Sequence, residues 1–240
     1  MSGDTAQQFA NLVGNNAFAA IVGSAVTASL GYARWQLSRR FPARRTWRYC
    51  SPNTLTVVVA SSAHVHTGKY ARPTTGIGQV RAMSLLVPSL SRAYRDVDLQ
   101  QVRLSSTMPG KEIENDLLVL GGTKNNQIAE QLLDRIPNLP FQSLGEVIDW
   151  GGQHYEGHTD GQTVTKDYGY VVRARNPFSA GRRIVILAGS HTFGTVAAAR
   201  WLLENGARRD LPTNVAVLVE ADVFEDGHVA PPRQLEAVEL

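Results

Sequence analysis

The 240 residues of the chain suffice for one domain, or two small ones, with a substantial buried core. An apolar fraction of 43% with 21 glycines is typical of a globular protein and excludes a disordered tail or a collagen-like repeat. The single cysteine, Cys50, excludes an internal disulfide and a cysteine-based zinc site.

The net charge of +3 is distributed unevenly along the chain. Residues 1–49 contain six arginines and one acid, whereas residues 50–240 contain 18 basic and 20 acidic side chains. A nucleic-acid-binding body normally carries a positive surface of its own. Because residues 50–240 have no excess of positive charge, we expect no nucleic-acid partner.

The first predicted element is a membrane anchor. The stretch from Thr5 to Ala33 has no charged residue, and Ala17–Tyr32 within it is small and apolar. The arginine-rich segment RWQLSRRFPARRTWR follows at once, and the positive-inside rule places such a segment in the cytoplasm. The pattern predicts a single transmembrane helix that meets the membrane through residues 15–35. A buried alanine-rich core helix and an interfacial helix are the alternatives.

This anchor defines the predicted domain organisation. Residues 1–49 form the anchor with its basic juxtamembrane segment, and residues 50–240 form a cytoplasmic α/β domain. The predicted location is the inner, cytoplasmic membrane, because the positive charges follow the apolar run instead of preceding it as in a signal peptide.

The first half of the body alternates predicted strands with helices. Leu55–Ala60 is a continuous β-branched run, typical of a strand buried on both faces, and a helical pattern follows over Gln79–Tyr94. Val97–Leu104 alternates like a half-exposed strand. Asp116–Leu120 is a second buried strand, and Asn126–Ile136 has a helical pattern.

The second half continues the alternation. Tyr168–Arg175 alternates, Arg182–Ala188 is a continuous apolar strand, and a helix is predicted over Thr195–Asn205. Asn214–Val219 is the next strand, and Asp222–Val229 is a candidate edge strand. The predicted fold class is therefore α/β, with a mostly parallel Rossmann-like sheet flanked by helices and preceded by one N-terminal transmembrane helix.

Three predicted strand-to-helix turns combine glycines with polar residues. If the strands are parallel, these turns meet at the carboxyl edge of the sheet, where open α/β folds bind ligands. Glycine lets the backbone approach a ligand, and the first turn of a helix offers free N–H groups to an anion. The turns therefore predict a site for a phosphate or a ribose-like polyol; helix capping is the alternative role of such residues. The predicted ligand-binding residues are Thr75, Gly76, Gly78, Gly121, Gly122, Thr123, Lys124, Asn125, Asn126, Gly189, Ser190, Thr192, Gly194 and Thr195.

Catalytic candidates accompany these turns. Glu130 lies on the helix after the double glycine, Asp167 precedes the alternating strand, and His191 lies between small residues in the third turn. His64 and His66 form an H-x-H pair. Histidines in a loop without further metal-ligating residues are more often exposed to solvent, so no metal site is predicted.

Residues 117–136 and 184–204 resemble the strand–glycine–helix units of Rossmann-type nucleotide-binding domains. Within that class they are similar to the nucleoside deoxyribosyltransferase, TIR and SLOG group. The resemblance implies binding of a nucleotide or NAD-like ligand, or cleavage of an N-glycosidic bond, and a role as a bacterial defence or signalling effector.

Three functional hypotheses follow for residues 50–240. The leading one is binding of a nucleotide-like, phosphorylated small molecule by a membrane-anchored domain. The second is an N-glycosidase or transferase acting on a nucleotide, with Glu130 or Asp167 as the acid and His191 assisting. The third is a non-catalytic interaction module.

Overall fold

The computed structural model describes residues 24–50, 52–68, 70–94, 97–98 and 102–240. It divides into two compact units, Met1–Pro42 and Ala43–Leu240. In the described part of the first unit, residues 24–35 are α-helical and Gln36–Arg40 form a π-helical turn.

The predicted transmembrane helix is not supported. Residues 17–23 of the predicted apolar core lie outside the described residues. In the part of the chain that the structure describes, no helix combines the length and the apolar composition needed to cross a bilayer. Within the described helical residues 24–35, Ser24, Thr27, Ser29 and Arg34 lower the hydrophobicity of the helix. The prediction of a single transmembrane span is therefore wrong, and so is the inner-membrane location that depends on it.

The secondary structure has the following bounds. The helices are α1 (Phe41–Trp47), α2 (Ile77–Ala93), α3 (Gln127–Leu133) and α4 (Thr192–Asn205). Short 3₁₀ turns occupy Pro52–Thr54 and Gly110–Glu114. The strands are β1 (Thr56–Val59), β2 (Ala63–Thr67), β3 (Tyr70–Thr74), β4 (Val102–Leu104), β5 (Leu117–Leu120), β6 (Phe141–Leu144), β7 (Val147–Trp150), β8 (Gln153–Glu156), β9 (His158–Asp160), β10 (Thr163–Asn176), β11 (Ser179–Gly189), β12 (Val215–Asp222) and β13 (Arg233–Glu239).

The main sheet has eight strands, seven of them in the order β13-β12-β10-β11-β5-β1-β4, with β9 paired to β10. Strands β4, β1, β5 and β11 pair in parallel, whereas β11, β10, β12 and β13 pair antiparallel. Two smaller antiparallel sheets accompany it, the hairpin β2–β3 and the meander β6–β7–β8.

The prediction of a mostly parallel, Rossmann-like sheet is wrong: the fold is mixed α/β with a mostly antiparallel main sheet. The reason lies in the connection between β10 and β11, where Asn176 pairs with Ser179 across a two-residue turn. Parallel neighbours need a crossover of roughly a dozen residues or more, so a turn this short imposes a hairpin. The predicted edge strand Asp222–Val229 forms one isolated bridge, Val223 to Val229, and β13 occupies the edge instead.

Side chains pack on both faces of the main sheet. On one face, Val57, Leu118 and Val185 share a core with residues of α2 and α4 and with Trp47. On the other, Val58, Val119 and Ile186 share a core with α3 and with the meander β6–β8. Strands covered on both faces read as continuous apolar runs, which is why the sequence predicts them well.

A buried arginine joins several segments at the edge where the parallel strands begin, which we call the amino edge. Arg173 on β10 is fully buried. Its guanidinium donates to backbone carbonyls of Thr46, Gly206, Pro212 and Thr213 at 2.6–3.1 Å. Burial lowers the pKa of Arg173 to about 10, so the group keeps its charge at neutral pH.

Candidate functional site

A cavity lies at the carboxyl edge, where β1, β5 and β11 end. Its volume is about 340 Å³, and we call it the edge cavity. The three predicted turns all reach it, although they are far apart in sequence. The lining residues are Ala60, Ser62, Gly76, Gln79, Gly122, Lys124, Asn125, Gly145, Glu146, Val164, Gly189, Ser190, His191, Thr192 and Thr195.

Several of the predicted ligand-binding glycines pack against backbone instead of opening space for a ligand. A Cβ on Gly194 would lie 2.0 Å from the Tyr168 carbonyl oxygen, and one on Gly189 would lie 2.4 Å from Gly194 Cα. A Cβ on Gly78 would lie 2.0 Å from the Thr192 carbonyl oxygen, and the Gly78 N–H donates to Thr192 Oγ1 at 2.8 Å. These glycines bring β10, β11 and the first turns of α2 and α4 into contact.

Gly121 and Gly122 have different roles although they are neighbours. Gly121 has a φ of +100°, and a Cβ there would lie 2.6 Å from Ala60 Cβ, so the turn itself requires glycine. At Gly122, the nearest atom to an added Cβ is 3.5 Å away, an ordinary contact distance. Of these two residues, Gly122 lines the edge cavity.

Asp167 is fully buried and caps α4. Its Oδ1 accepts from the backbone N–H groups of Tyr168 and His191 at 2.9 and 3.1 Å, and its Oδ2 accepts from that of Gly194 at 2.5 Å. A carboxylate thus already occupies the first turn of α4, the position that the sequence assigns to a ligand phosphate. Because Asp167 does not line the cavity, the predicted acid does not face a ligand there.

His191 lines the edge cavity directly in front of Asp167. Its Nδ1 is buried and lies 3.6 Å from Asp167 Oδ1, slightly longer than a normal hydrogen bond. The neighbouring Asp167 carboxylate raises the pKa of His191. Glu146 and Glu156 add to this effect, and partial burial opposes it. Gly157 covers the ring: a Cβ there would lie 2.3 Å from His191 Nδ1.

Lys124 and Glu146 form an ion pair at the mouth of the cavity, with 2.5 Å between Nζ and Oε1. Both side chains remain about half exposed, at 53% and 47%. Lys124 lowers the pKa of Glu146. Glu146 follows Gly145 in the turn between β6 and β7, so the meander supplies one wall of the cavity.

Two polar side chains, one in the first turn of α2 and one just before it, have buried oxygens without a hydrogen-bond partner among the described residues. Gln79 lines the cavity, is 8% exposed, and its Oε1 has no partner. Thr75 Oγ1, one turn earlier, is also buried without a partner. A buried polar atom without a partner costs roughly 1–3 kcal/mol, and such atoms are characteristic of functional sites.

Other predicted residues have structural contacts or lie elsewhere. Asn126 is buried and caps α3, with Oδ1 accepting from the N–H groups of Ile128 and Ala129. Thr123 Oγ1 donates to the Ser143 carbonyl oxygen at 2.9 Å. Thr195 and Asn125 line the edge cavity, Thr195 being 1% exposed and Asn125 exposed.

Glu130, the predicted catalytic acid, does not line the edge cavity. It is exposed on α3 and lines a second cavity of about 580 Å³, together with Thr123 and Asp134. The carboxylate that does line the edge cavity is Glu146.

Sequence reasoning did not find Gln79, Glu146 or Gly157. Gln79 had a usable signal, because it stands in the first helical turn directly after the glycine pair Gly76 and Gly78. Glu146 reaches the cavity through the meander β6–β8, and Gly157, in the segment after it, packs against the His191 ring; no motif marks either residue.

Within the described residues, no three His, Cys, Asp or Glu side chains are grouped as a metal site requires. The side chains of the predicted pair His64 and His66 lie outside the described residues. No protein-family model matches this sequence, and no curated protein matches it significantly. The chain therefore contains a mixed α/β domain with a cavity of about 340 Å³ at the carboxyl edge of its parallel strands.

Proposed function

We propose that residues 43–240 form a domain that binds a nucleotide-like, phosphorylated small molecule in the edge cavity. The observation that carries the proposal is the convergence of three turns, distant in sequence, on one cavity of about 340 Å³. Ligand sites span roughly 300–1,000 Å³, so this volume fits a mononucleotide-sized molecule better than a dinucleotide.

The cavity offers complementary groups for such a ligand. Lys124 supplies positive charge, His191 supplies an imidazole that is a cation when protonated, and Ser190 and the amide of Gln79 supply hydrogen-bonding groups. Gly122 leaves room for a ligand close to the backbone.

A thermal-shift screen of the full chain with AMP, ADP, NAD and 3′,5′-cyclic AMP tests this proposal. A ligand at about 100 times its Kd stabilises the folded state by about 2.7 kcal/mol. For a domain of this size, that raises Tm by roughly 5–10 °C. We expect AMP or ADP to give the largest shift. The absence of a shift with all four compounds contradicts the proposal.

A matched pair of variants locates the binding site. Lys124→Ala removes a charge from the edge cavity and should weaken binding of the responding nucleotide at least tenfold. Lys111→Ala removes an exposed lysine from the 3₁₀ turn Gly110–Glu114 and should leave binding unchanged. Equal affinities for the two variants would place the ligand outside the cavity.

A further inference from the structure

The arrangement of Asp167 and His191 carries an inference that rests on the proposed function. We propose that His191 is the proton-linked cation that recognises the anionic group of the ligand, and that Asp167 is its positioning residue. Asp167 does not meet the ligand, because it is fully buried and does not line the edge cavity.

The geometry supports this division of roles. The Nδ1 edge of the His191 ring is buried against Asp167 Oδ1 at 3.6 Å, while the side chain as a whole keeps 23% of its surface exposed at the cavity. Nε2 lies on the edge of the ring opposite Nδ1, and the proposal assigns that edge to the ligand. In the protonated imidazole both nitrogens are donors, so one can serve Asp167 while the other serves a ligand oxygen.

Two contacts hold the imidazole in this orientation. The backbone N–H of His191 donates to the same Asp167 Oδ1 at 3.1 Å, which fixes the start of α4 relative to β10. Gly157 packs against the ring so closely that a Cβ at position 157 would overlap it. The ring is thus confined between a carboxylate and a glycine.

The charged groups around His191 determine how pH affects it. Three carboxylates favour the protonated His191: Asp167 from β10, Glu156 from β8 and Glu146 from the β6–β7 turn. Lys124, which is positively charged, lines the same cavity. The carboxylates outweigh partial burial and raise the pKa of His191 above its usual value of about 6.5. Affinity for an anion should be full below that pKa and should fall about tenfold per pH unit once pH has risen above it.

Calorimetric titration of the full chain with AMP from about pH 6 to 9 tests the proposal. The protonation of the AMP phosphate itself, with a pKa of about 6, is subtracted from the measured proton exchange. We expect wild type to lose affinity as pH rises and to take up a proton on binding. His191→Gln should bind at least tenfold more weakly at pH 6 and without this pH dependence. His154→Gln, which removes an exposed histidine 3.3 Å from Asp149, is the control and should behave as wild type.

The positioning role has its own readout, the NMR titration of the His191 ring without ligand. Asp167→Asn should lower the pKa of His191 toward or below 6.5, since the amide carries no charge. If Asp167→Asn does not fold, Gly157→Ala displaces the ring while the Asp167 carboxylate is retained, 3.1 Å from the new Cβ. Gly181→Ala, which meets no atom within 4 Å, is its control. Gly157→Ala should then weaken binding of AMP, and Gly181→Ala should not.

The outcomes separate this inference from the proposed function. Binding of AMP that is independent of pH and unchanged in His191→Gln overturns the inference and leaves the proposed function standing. An unchanged His191 pKa in a folded Asp167→Asn variant overturns the positioning role. Failure of AMP, ADP, NAD and 3′,5′-cyclic AMP to bind wild type overturns both proposals together.

Discussion

The two edges of the main sheet differ in their buried polar groups, most of which are hydrogen-bonded at the amino edge, although Arg48 Nε there has no partner among the described residues. At the amino edge, Arg173 directs its guanidinium to backbone carbonyls, and Asn176 donates to the carbonyls of Ile113 and Asn115 at 2.7 Å. At the carboxyl edge, Gln79 Oε1 and Thr75 Oγ1 are buried without partners among the described residues. The hydrogen bonds of Arg173 and Asn176 stabilise the fold at the amino edge, whereas the unpartnered oxygens at the carboxyl edge lie where we propose that the ligand binds.

Replacing the buried arginine should have the largest effect on stability. Arg173→Met leaves the carbonyls of Thr46, Gly206 and Pro212 without their donor, and we expect a loss of about 3–4 kcal/mol in the free energy of unfolding. Urea denaturation measures it. Arg175→Met, on the same strand but exposed, should change stability by less than about 0.5 kcal/mol. Equal losses in the two variants would contradict the role assigned to the amino edge.

Adding a methyl group to a packed glycine at the carboxyl edge should also destabilise the fold. In Gly194→Ala the new Cβ meets the Tyr168 carbonyl 2.0 Å away, so the backbone must shift, and we expect a cost of about 2–3 kcal/mol. The same denaturation experiment on Gly122→Ala should show a much smaller change, because its nearest contact is 3.5 Å. An unchanged stability of Gly194→Ala would contradict the packing role of this glycine.

The charge pair at the cavity mouth gives the smallest expected effect. Glu146→Gln frees Lys124 from its ion pair, so a nucleotide phosphate no longer competes with a carboxylate, and affinity for AMP should rise a few-fold. Stability should change by less than about 1 kcal/mol, since both partners are half exposed. Weaker binding of AMP to Glu146→Gln would instead make Glu146 a direct ligand contact.

The sequence predicts the parallel half of the sheet better than the antiparallel half. Predicted strands Leu55–Ala60, Asp116–Leu120 and Arg182–Ala188 correspond to β1, β5 and β11, because continuous β-branched runs mark strands covered on both faces. The direction of β10 was missed, although the short connection through Asn176 and Pro177 already excludes a parallel crossover to β11.

The residues of the candidate site likewise fall into two groups, those that a local sequence pattern predicts and those that depend on tertiary contacts. Residues next to the strand ends, such as Gly76, Lys124 and Ser190, were predicted because a strand-to-helix turn is a local pattern. Gln79 and Glu146 were missed, because their contribution depends on which helix turn and which hairpin pack over the cavity. The capping role of Asp167 likewise depends on a tertiary contact between β10 and α4.

NMR mapping of the backbone amides during titration with AMP tests the central claim most directly. The account predicts concerted shifts at residues 74–78, 121–126 and 189–195, with the same Kd at all three segments. Shifts confined to one of these segments, or centred on Arg81 and His228, which line a separate cavity, would contradict it.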